Sequence, residues 1–442
     1  MRRCDFSLAV MLLAANAACT PPSDSGRDFA KSAASTPAAA SSATAVADVS
    51  GLPFGRPALL VSQAQFTWVT DATGARKPQP GPAQLIILTR AGGKWQSQIL
   101  EDSDSRVFHK AICFAAPVGP AGATETTILT LGGTDAHLKT WLYRDGHFVG
   151  TSHWAPHFGG KWDRLRDVEW ADVDGDGHKE LIVGTHDQGV IALVRPEPGQ
   201  WRVEKIFQRP DTFIHEIEVG DLDGDGHAEI YATPSQPNRA AYSQGGEIVR
   251  LMYRDKAYAV ETVDRFSHRH AKEILVTDLD GDGHDELYAS IEAETETIGD
   301  RMVVHQPLEI RRYTKVGKTW RAEVLAALPD AVQARFILAG ALRTPGRKEL
   351  VVTTMRDGIW LLTPPEKPGQ GWHRLSIDKD SSGFEHAATL ADLDGDGRPE
   401  LYVAADDQGR IRRYLWNGTT FAREDIFSLE PGDLTWSIQP CL

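Results

Sequence analysis

Four stretches of this chain could surround a metal ion with oxygen. The first is Asp172-Val-Asp174-Gly-Asp176-Gly-His178-Lys-Glu180; its counterparts run from Asp221 to Glu229, Asp278 to Glu286 and Asp392 to Glu400, all of the form DxDGDGxxE. Carboxylates at positions 1, 3, 5 and 9 supply the ligands: Asp172, Asp174, Asp176 and Glu180; Asp221, Asp223, Asp225 and Glu229; Asp278, Asp280, Asp282 and Glu286; Asp392, Asp394, Asp396 and Glu400. The position 7 carbonyls of His178, His227, His284 and Arg398 complete the set. Glycines at positions 4 and 6 let the backbone turn tightly enough to aim these oxygens inward. Calcium is the expected ion, in up to four sites, because it is large, hard and tolerant of a flexible oxygen cage.

An EF-hand is excluded by spacing. That loop needs a bidentate Glu at position 12 between two helices, whereas position 12 here is Val183, Ala232, Ala289 or Val403. A β-type run follows each loop, as in Glu180-Leu-Ile-Val-Gly and Glu229-Ile-Tyr-Ala-Thr, so the loops join strands. On these residues the chain resembles the FG-GAP/VCBS repeats, whose loops of this form bind calcium in β-propellers such as that of the integrin α subunits. The resemblance implies a fold and an ion. It says little of function, since such repeats occur in adhesins, lectin-like proteins and some lyases.

A second recurring mark counts the repeats independently. An aromatic follows a glycine or charged turn at Trp95, Phe148, Trp201, Tyr258, Trp320, Trp372 and Phe421, and each opens a short strand-like stretch. Regular spacing of this size reads as propeller blades. Glu349-Leu350 after Ala341 to Lys348 is a fifth acidic loop stripped of its aspartates, and Ala116 to Glu125 is a sixth, more eroded still. The first unit, from Ala58, lacks an innermost strand; the last strand, Leu434 to Gln439, lacks a continuation. Joining them closes the ring and removes open edges. The expectation is an all-β, seven-bladed β-propeller over 51–442, closed by the C-terminal strand completing the first blade.

The N-terminal residues read differently. Met1-Arg-Arg and the apolar Leu8–Ala15 form a secretory signal over 1–18. Cys19 after two alanines resembles a lipobox, with Asn16 where that pattern usually has Leu, so Cys19 is the expected lipidation site. Residues 19–50 are rich in Ala, Ser, Thr and Pro and suit a disordered tether. The resulting picture is an extracytoplasmic lipoprotein on the outer membrane of a Gram-negative bacterium, reaching the membrane only through that anchor; ordinary cleavage after Ala17, giving a secreted or periplasmic protein, is the alternative. Cys113 and Cys441 fall on innermost strands of neighbouring blades. Two buried thiols are favoured over a disulfide, since sequence gives no distance.

Net charge is −14, and sixteen acidic side chains occupy the ligand positions of the four loops. The acidity therefore concerns metal sites and argues against nucleic-acid binding. The chain is expected to be a monomer.

One basic column stands out. Six residues before the first position of each loop lie Arg166, His215, Lys272, Arg335 and His386, and a looser alignment adds Lys110. This is where innermost strands begin, at the mouth of the central channel. A cationic ring there would take an anionic ligand, an acidic glycan or a protein, more tightly as His215 and His386 gain charge below about pH 6.5. Phe108, Phe213, Phe384 and Trp162 lie nearby and could stack on sugar rings. His153, His157, His268 and His270 allow a second metal site. No Gly-x-Ser-x-Gly elbow, HExxH or Walker loop is present. The sequence thus favours a non-enzymatic binding protein. A lyase or dehydratase acting on acidic or oxidised sugars and a protein-interaction scaffold are the alternatives.

Overall fold

The computed structural model describes residues 54–442 except 71–73, 118–123, 160–162, 198, 238–242 and 368. The expected signal segment, Cys19, the expected tether and Trp162 lie outside the described residues.

The short alternating runs form seven four-stranded antiparallel sheets. Blade 1 holds Ala58–Thr70, Arg76–Ala91 and Lys94–Asp102; blade 2 begins at Val107–Pro117, blade 3 at Leu165–Ala171 and blade 4 at Phe213–Gly220. Blade 5 begins at Ala271–Thr277, blade 6 at Ala334–Thr344 and blade 7 at Ala388–Ala391. The first strands of blades 2–7 are innermost and touch one another in sequence, and Leu434–Cys441, innermost in blade 1, completes the ring. Six of the seven aromatic marks are on or immediately before the outermost strand of blades 2–7, and Trp95 is on that of blade 1.

The apolar core is divided among the seams between blades. Leu181, Val183 and Val194 of blade 3 pack with Phe114, Leu129 and Leu131 of blade 2. Ile182, Ile191 and Leu193, on the other face of the same blade, pack with Ile214, Ile217 and Ile230 of blade 4. Period-2 alternation thus feeds both seams, and a blade alone would leave both faces wet.

Closure follows the sequence expectation. Leu434–Cys441 pairs antiparallel with Ala58–Ala64, from Ala58 opposite Cys441 to Ala64 opposite Leu434. The two cysteines are joined, contrary to the favoured reading: Cys113 and Cys441 form a disulfide across the seam between blades 1 and 2, with Cα atoms 5.3 Å apart. The pairing brings two innermost strands side by side, which sequence distance could not show.

Reducing this bond releases a loop of 328 residues. Cys113→Ser or reductant should therefore cost about 2–5 kcal/mol of stability, measured by denaturant titration. Deleting 434–442 should give insoluble protein, because blade 1 then has an open edge; a soluble deletion variant with unchanged melting would show the closure to be dispensable.

Candidate functional site

Two sets of polar residues lie at opposite ends of the innermost strands. At one end are the acidic loops. In blade 3, Asp172 accepts from the Gly175 N–H (2.8 Å) and the Gly177 N–H (2.9 Å), which winds the loop about the first carboxylate. Gly175 and Gly177 have φ of 73° and 86°, which a side chain would oppose. Glu180 anchors the far side, accepting from the Val173 N–H at 3.3 Å. Glu229, Glu286 and Glu400 make the same bond and also accept from Tyr231, Tyr288 and Tyr402 hydroxyls.

These loops gather carboxylate oxygens closely enough to hold an ion. Asp221, Asp223, Asp225 and Glu229 all come within 4.8 Å of one another, as do Asp172, Asp174 and Glu180, then Asp278, Asp280 and Asp282, then Asp392, Asp394 and Glu400. The donors are all hard oxygens, which suits a hard cation. Asp176, Glu286 and Asp396 stand outside their clusters. The eroded loop of blade 6 holds a guanidinium instead: Arg343 Nε and Nη2 lie 2.9 and 2.5 Å from Glu349. Of His153, His157, His268 and His270, none joins such a cluster among the described residues. His153 stacks on Trp201, His157 bonds Asp163, and His268 is exposed.

At the other end is the channel mouth. The register of the innermost pairing slips at Phe108/Lys110, Leu165/Asp167, Ile214/Ile217, Ala271/Glu273 and Ala334/Phe336. A comparable slip on the closing strand leaves Trp436 unpaired. Each slip is a β-bulge that re-aims a side chain. The residues so displaced include His109, Arg166, His215, Lys272, Arg335 and Trp436. The basic column is thus a column of bulges, with one correction. Blade 2 contributes His109 rather than Lys110, because its paired run from bulge to loop (Lys110 to Pro117) is longer than that of blade 3 (Asp167 to Ala171). Counting a fixed distance back from an eroded loop misses this.

The ring is buried and already paired. Arg166 Nη2, Lys272 Nζ and Arg335 Nη1 lie 3.6, 3.3 and 4.0 Å from one carboxylate, Glu385. Those cations hold the buried Glu385 carboxyl down at about 2 despite desolvation. Lys110 bonds Asp167 at 2.6 Å and Glu169 at 2.9 Å, and Lys272 lies 3.3 Å from Glu273. Deeper in the channel, burial and then the nearby Asp167 and Glu273 carboxylates push Glu216 well above the usual carboxylate range. Glu218 is raised likewise by burial and Glu169. Sequence reading missed Glu385, although it adjoins a singled-out residue.

The two histidines also differ from expectation. His386 is fully buried at a left-handed φ of 47°, with Nδ1 2.6 Å from the Thr354 carbonyl and Nε2 2.7 Å from the Ser381 hydroxyl. It is Glu385, one residue earlier, that meets the cations. His215 bonds Ser235 at 2.9 Å and packs between His186 and His270. Burial lowers both, His386 to about 4 and His215 well below its ordinary value, so neither gains charge near pH 6.5. Phe384 and Phe213 do lie at the mouth, under Arg335 and Arg164, and Arg166 lies over Trp436. Phe108 belongs to the seam between blades 1 and 2.

With this geometry in hand, the chain can be set beside known proteins. A family model described as FG-GAP-like repeat matches residues 172–232 and 392–441. The chain carries FG-GAP-like repeats. No curated protein matches it. Among solved structures, a candidate 6-phosphogluconolactonase from Bacteroides uniformis is 12% identical at a TM-score of 0.52, covering 87% of this chain and 99% of that one. The periplasmic gluconolactonase of Pseudomonas aeruginosa is 13% identical at a TM-score of 0.47, with the same coverage. At such identity the first likeness shows the propeller fold alone. The matched residues take in three of the four intact acidic loops, those beginning at Asp172, Asp221 and Asp392.

Glu385→Gln should expose the role of the hub carboxylate. It leaves three buried cations short of a counter-ion and should cost about 3 kcal/mol at pH 7. A depressed carboxyl stabilises the fold above its unfolded value near 4.5, and that contribution is lost as pH falls toward 2. The gap in stability between wild type and variant should therefore narrow across this window in denaturant titrations; a gap independent of pH would contradict the pairing.

Proposed function

We propose that this protein is a calcium-stabilised extracytoplasmic binding propeller that takes an anionic ligand, an acidic glycan or peptide, at the channel mouth. The observation that carries this reading is the convergence of Arg166, Lys272 and Arg335, from three blades, on a single carboxylate. A cluster that arranges three cations about one carboxylate already has the geometry for another. Capacity remains: Arg335 Nε, Glu292 Oε1 and His186 Nδ1 are buried with no hydrogen-bond partner. Such atoms are costly to leave bare, and a ligand bringing an oxyanion and hydroxyls would satisfy them. The candidate site residues remain Arg166, His215, Lys272 and Arg335, with Glu385 as their internal counter-ion. Lys110 pairs with Asp167 and Glu169, and His386 bonds Thr354 and Ser381.

A disulfide across the closing seam supports an oxidising compartment. A lipid anchor at Cys19 on the outer membrane is the reading of the N-terminal sequence that we retain. The all-oxygen loop clusters support calcium as the ion, which would be held by the aspartates and by Glu180, Glu229 and Glu400. When bound it supplies charge neutralisation to the loops and no chemistry at the mouth.

One observation favours a second reading, catalysis on a sugar acid or its lactone. His215 and His270 are held neutral by burial beside Lys272, so each could take a proton while the cations stabilise a developing oxyanion. Release of acid from gluconolactone, or absorbance of unsaturated products from polyuronides, would establish it.

Two outcomes test the main reading. Millimolar calcium should raise the melting temperature and chelator should lower it, since an ion bound only by the folded state stabilises by mass action; identical melting in both buffers would remove calcium from the account. Arg166→Lys keeps the charge near Glu385 but loses the planar fork, so uronate-oligomer affinity should fall about tenfold with melting nearly unchanged. Calorimetric titration at two salt concentrations measures this, and binding that is untouched in the variant would remove the mouth as the site.

A further inference from the structure

In every blade with an intact acidic loop, an arginine on the third strand approaches that loop. Arg195 Nη2 lies 2.6 Å from Asp174, and its Nε 3.5 Å from Glu180. Arg250 contacts both Asp223 and Glu229 through Nη2. Arg413 lies 2.5 Å from Asp394 and also contacts Glu400. In these three blades the guanidinium holds positions 3 and 9 of the loop, two of the carboxylates that a cation would need.

Blade 5 departs from the pattern. Arg312 faces Tyr288 in the sheet as Arg250 faces Tyr231 and Arg413 faces Tyr402. It bonds Glu323 of the outermost strand at 3.2 and 2.7 Å and, although 3.5 Å from Glu286 as Arg195 is from Glu180, forms no ion pair with a described aspartate of its loop. Among the described residues, no basic side chain forms an ion pair with the carboxylates of Asp278, Asp280 or Asp282, and Lys348 Nζ donates to the Asp278 main-chain carbonyl at 2.6 Å. The outer-strand seat exists in the other blades too. Glu261 faces Arg250 and Glu424 faces Arg413, as Glu323 faces Arg312. Those glutamates lie 3.6 and 3.4 Å from their arginines, and Glu204 lies 3.0 Å from Arg195.

We propose that these arginines are built-in competitors of the loop cation, and that Glu204, Glu261 and Glu424 are the seats to which they withdraw when the cation enters. The inference rests on the calcium reading above. A guanidinium and a divalent ion repel strongly at a few ångströms in partly buried surroundings and cannot share one aspartate without cost. Blade 5, with its arginine already withdrawn, displays the receptive arrangement; blades 3, 4 and 7 display the self-neutralised one. The arginine thereby keeps an empty loop folded, and the outer glutamate sets how readily it yields. Arg343 on Glu349 is the end point of the same substitution, with the arginine inside a loop that has no aspartates left. The four loops should therefore fill unequally, that of blade 5 first.

Calcium titration calorimetry on the whole chain tests this. One site should be tighter than the rest and vanish in Asp280→Asn. Arg250→Met should tighten one of the weaker sites by about tenfold or more, as expected from removing a full charge a few ångströms away. Glu261→Gln should weaken the same site, by about threefold or more, for want of a seat. Arg312→Met should change no site by more than about twofold, its charge already being matched by Glu323. The arginine inference is overturned if four equal sites appear, if Arg250→Met and Arg312→Met act alike, or if Arg250→Met weakens binding. Glu261→Gln, a milder change, carries the same test if Arg250→Met does not fold. A wild-type chain that gives no calcium isotherm would instead overturn the calcium reading itself.

Discussion

Nothing in this fold is stable by itself, because no blade owns a core. Ile182, Ile191 and Leu193 are buried only because blade 4 presents Ile214, Ile217 and Ile230 to them, and the same dependence passes from seam to seam. The chain of dependence ends where the last strand pairs with Ala58–Ala64. If that pairing opens, two seams lose a partner. Placing the disulfide between the closing strand and blade 2 therefore fastens the step on which the other seams rely. Cross-linking residues so far apart in sequence also removes much of the freedom of the unfolded chain.

Closure has an electrostatic corollary. Bringing seven innermost strands together forces their inward side chains into a narrow space, and most of those singled out here are charged. The structure resolves this by matching: Lys110 with Asp167 and Glu169, then Arg166, Lys272 and Arg335 with Glu385. Glu216 and Glu218, which form no ion pair among the described residues, are pushed toward the neutral form by burial. Buried pairs of this kind contribute little net stability and are costly to break. They fix instead which side chains face the mouth, and at what spacing.

Much of the architecture was legible because it is written locally. The DxDGDGxxE spacing fixes a tight loop with glycines at positive φ, and the run after Glu180 or Glu229 can only be a strand. The aromatic marks count blades, and the missing innermost strand before Ala58 identifies its own replacement. The mouth was harder to read. Its side chains are placed by bulges, and a bulge depends on how far two strands pair, which erosion of the blade 2 loop conceals. His386 occupies the right place in sequence, but its left-handed backbone yields the channel to Glu385. The arginines beside the loops were invisible for another reason. Arg250 and Arg413 lie far along the chain from Asp223 and Asp394 and meet them only through sheet register.

The direction of the strands gives the molecule a front and a back. Innermost strands run from the mouth to the acidic loops, and the second strand of every blade runs back again. The ring begins on a second strand at Ala58 and ends on an innermost strand at Cys441, two residues that face each other in the sheet. Both ends of the ring therefore lie on the acidic-loop face. The ring is thus entered and left on one face, and the mouth lies on the opposite one.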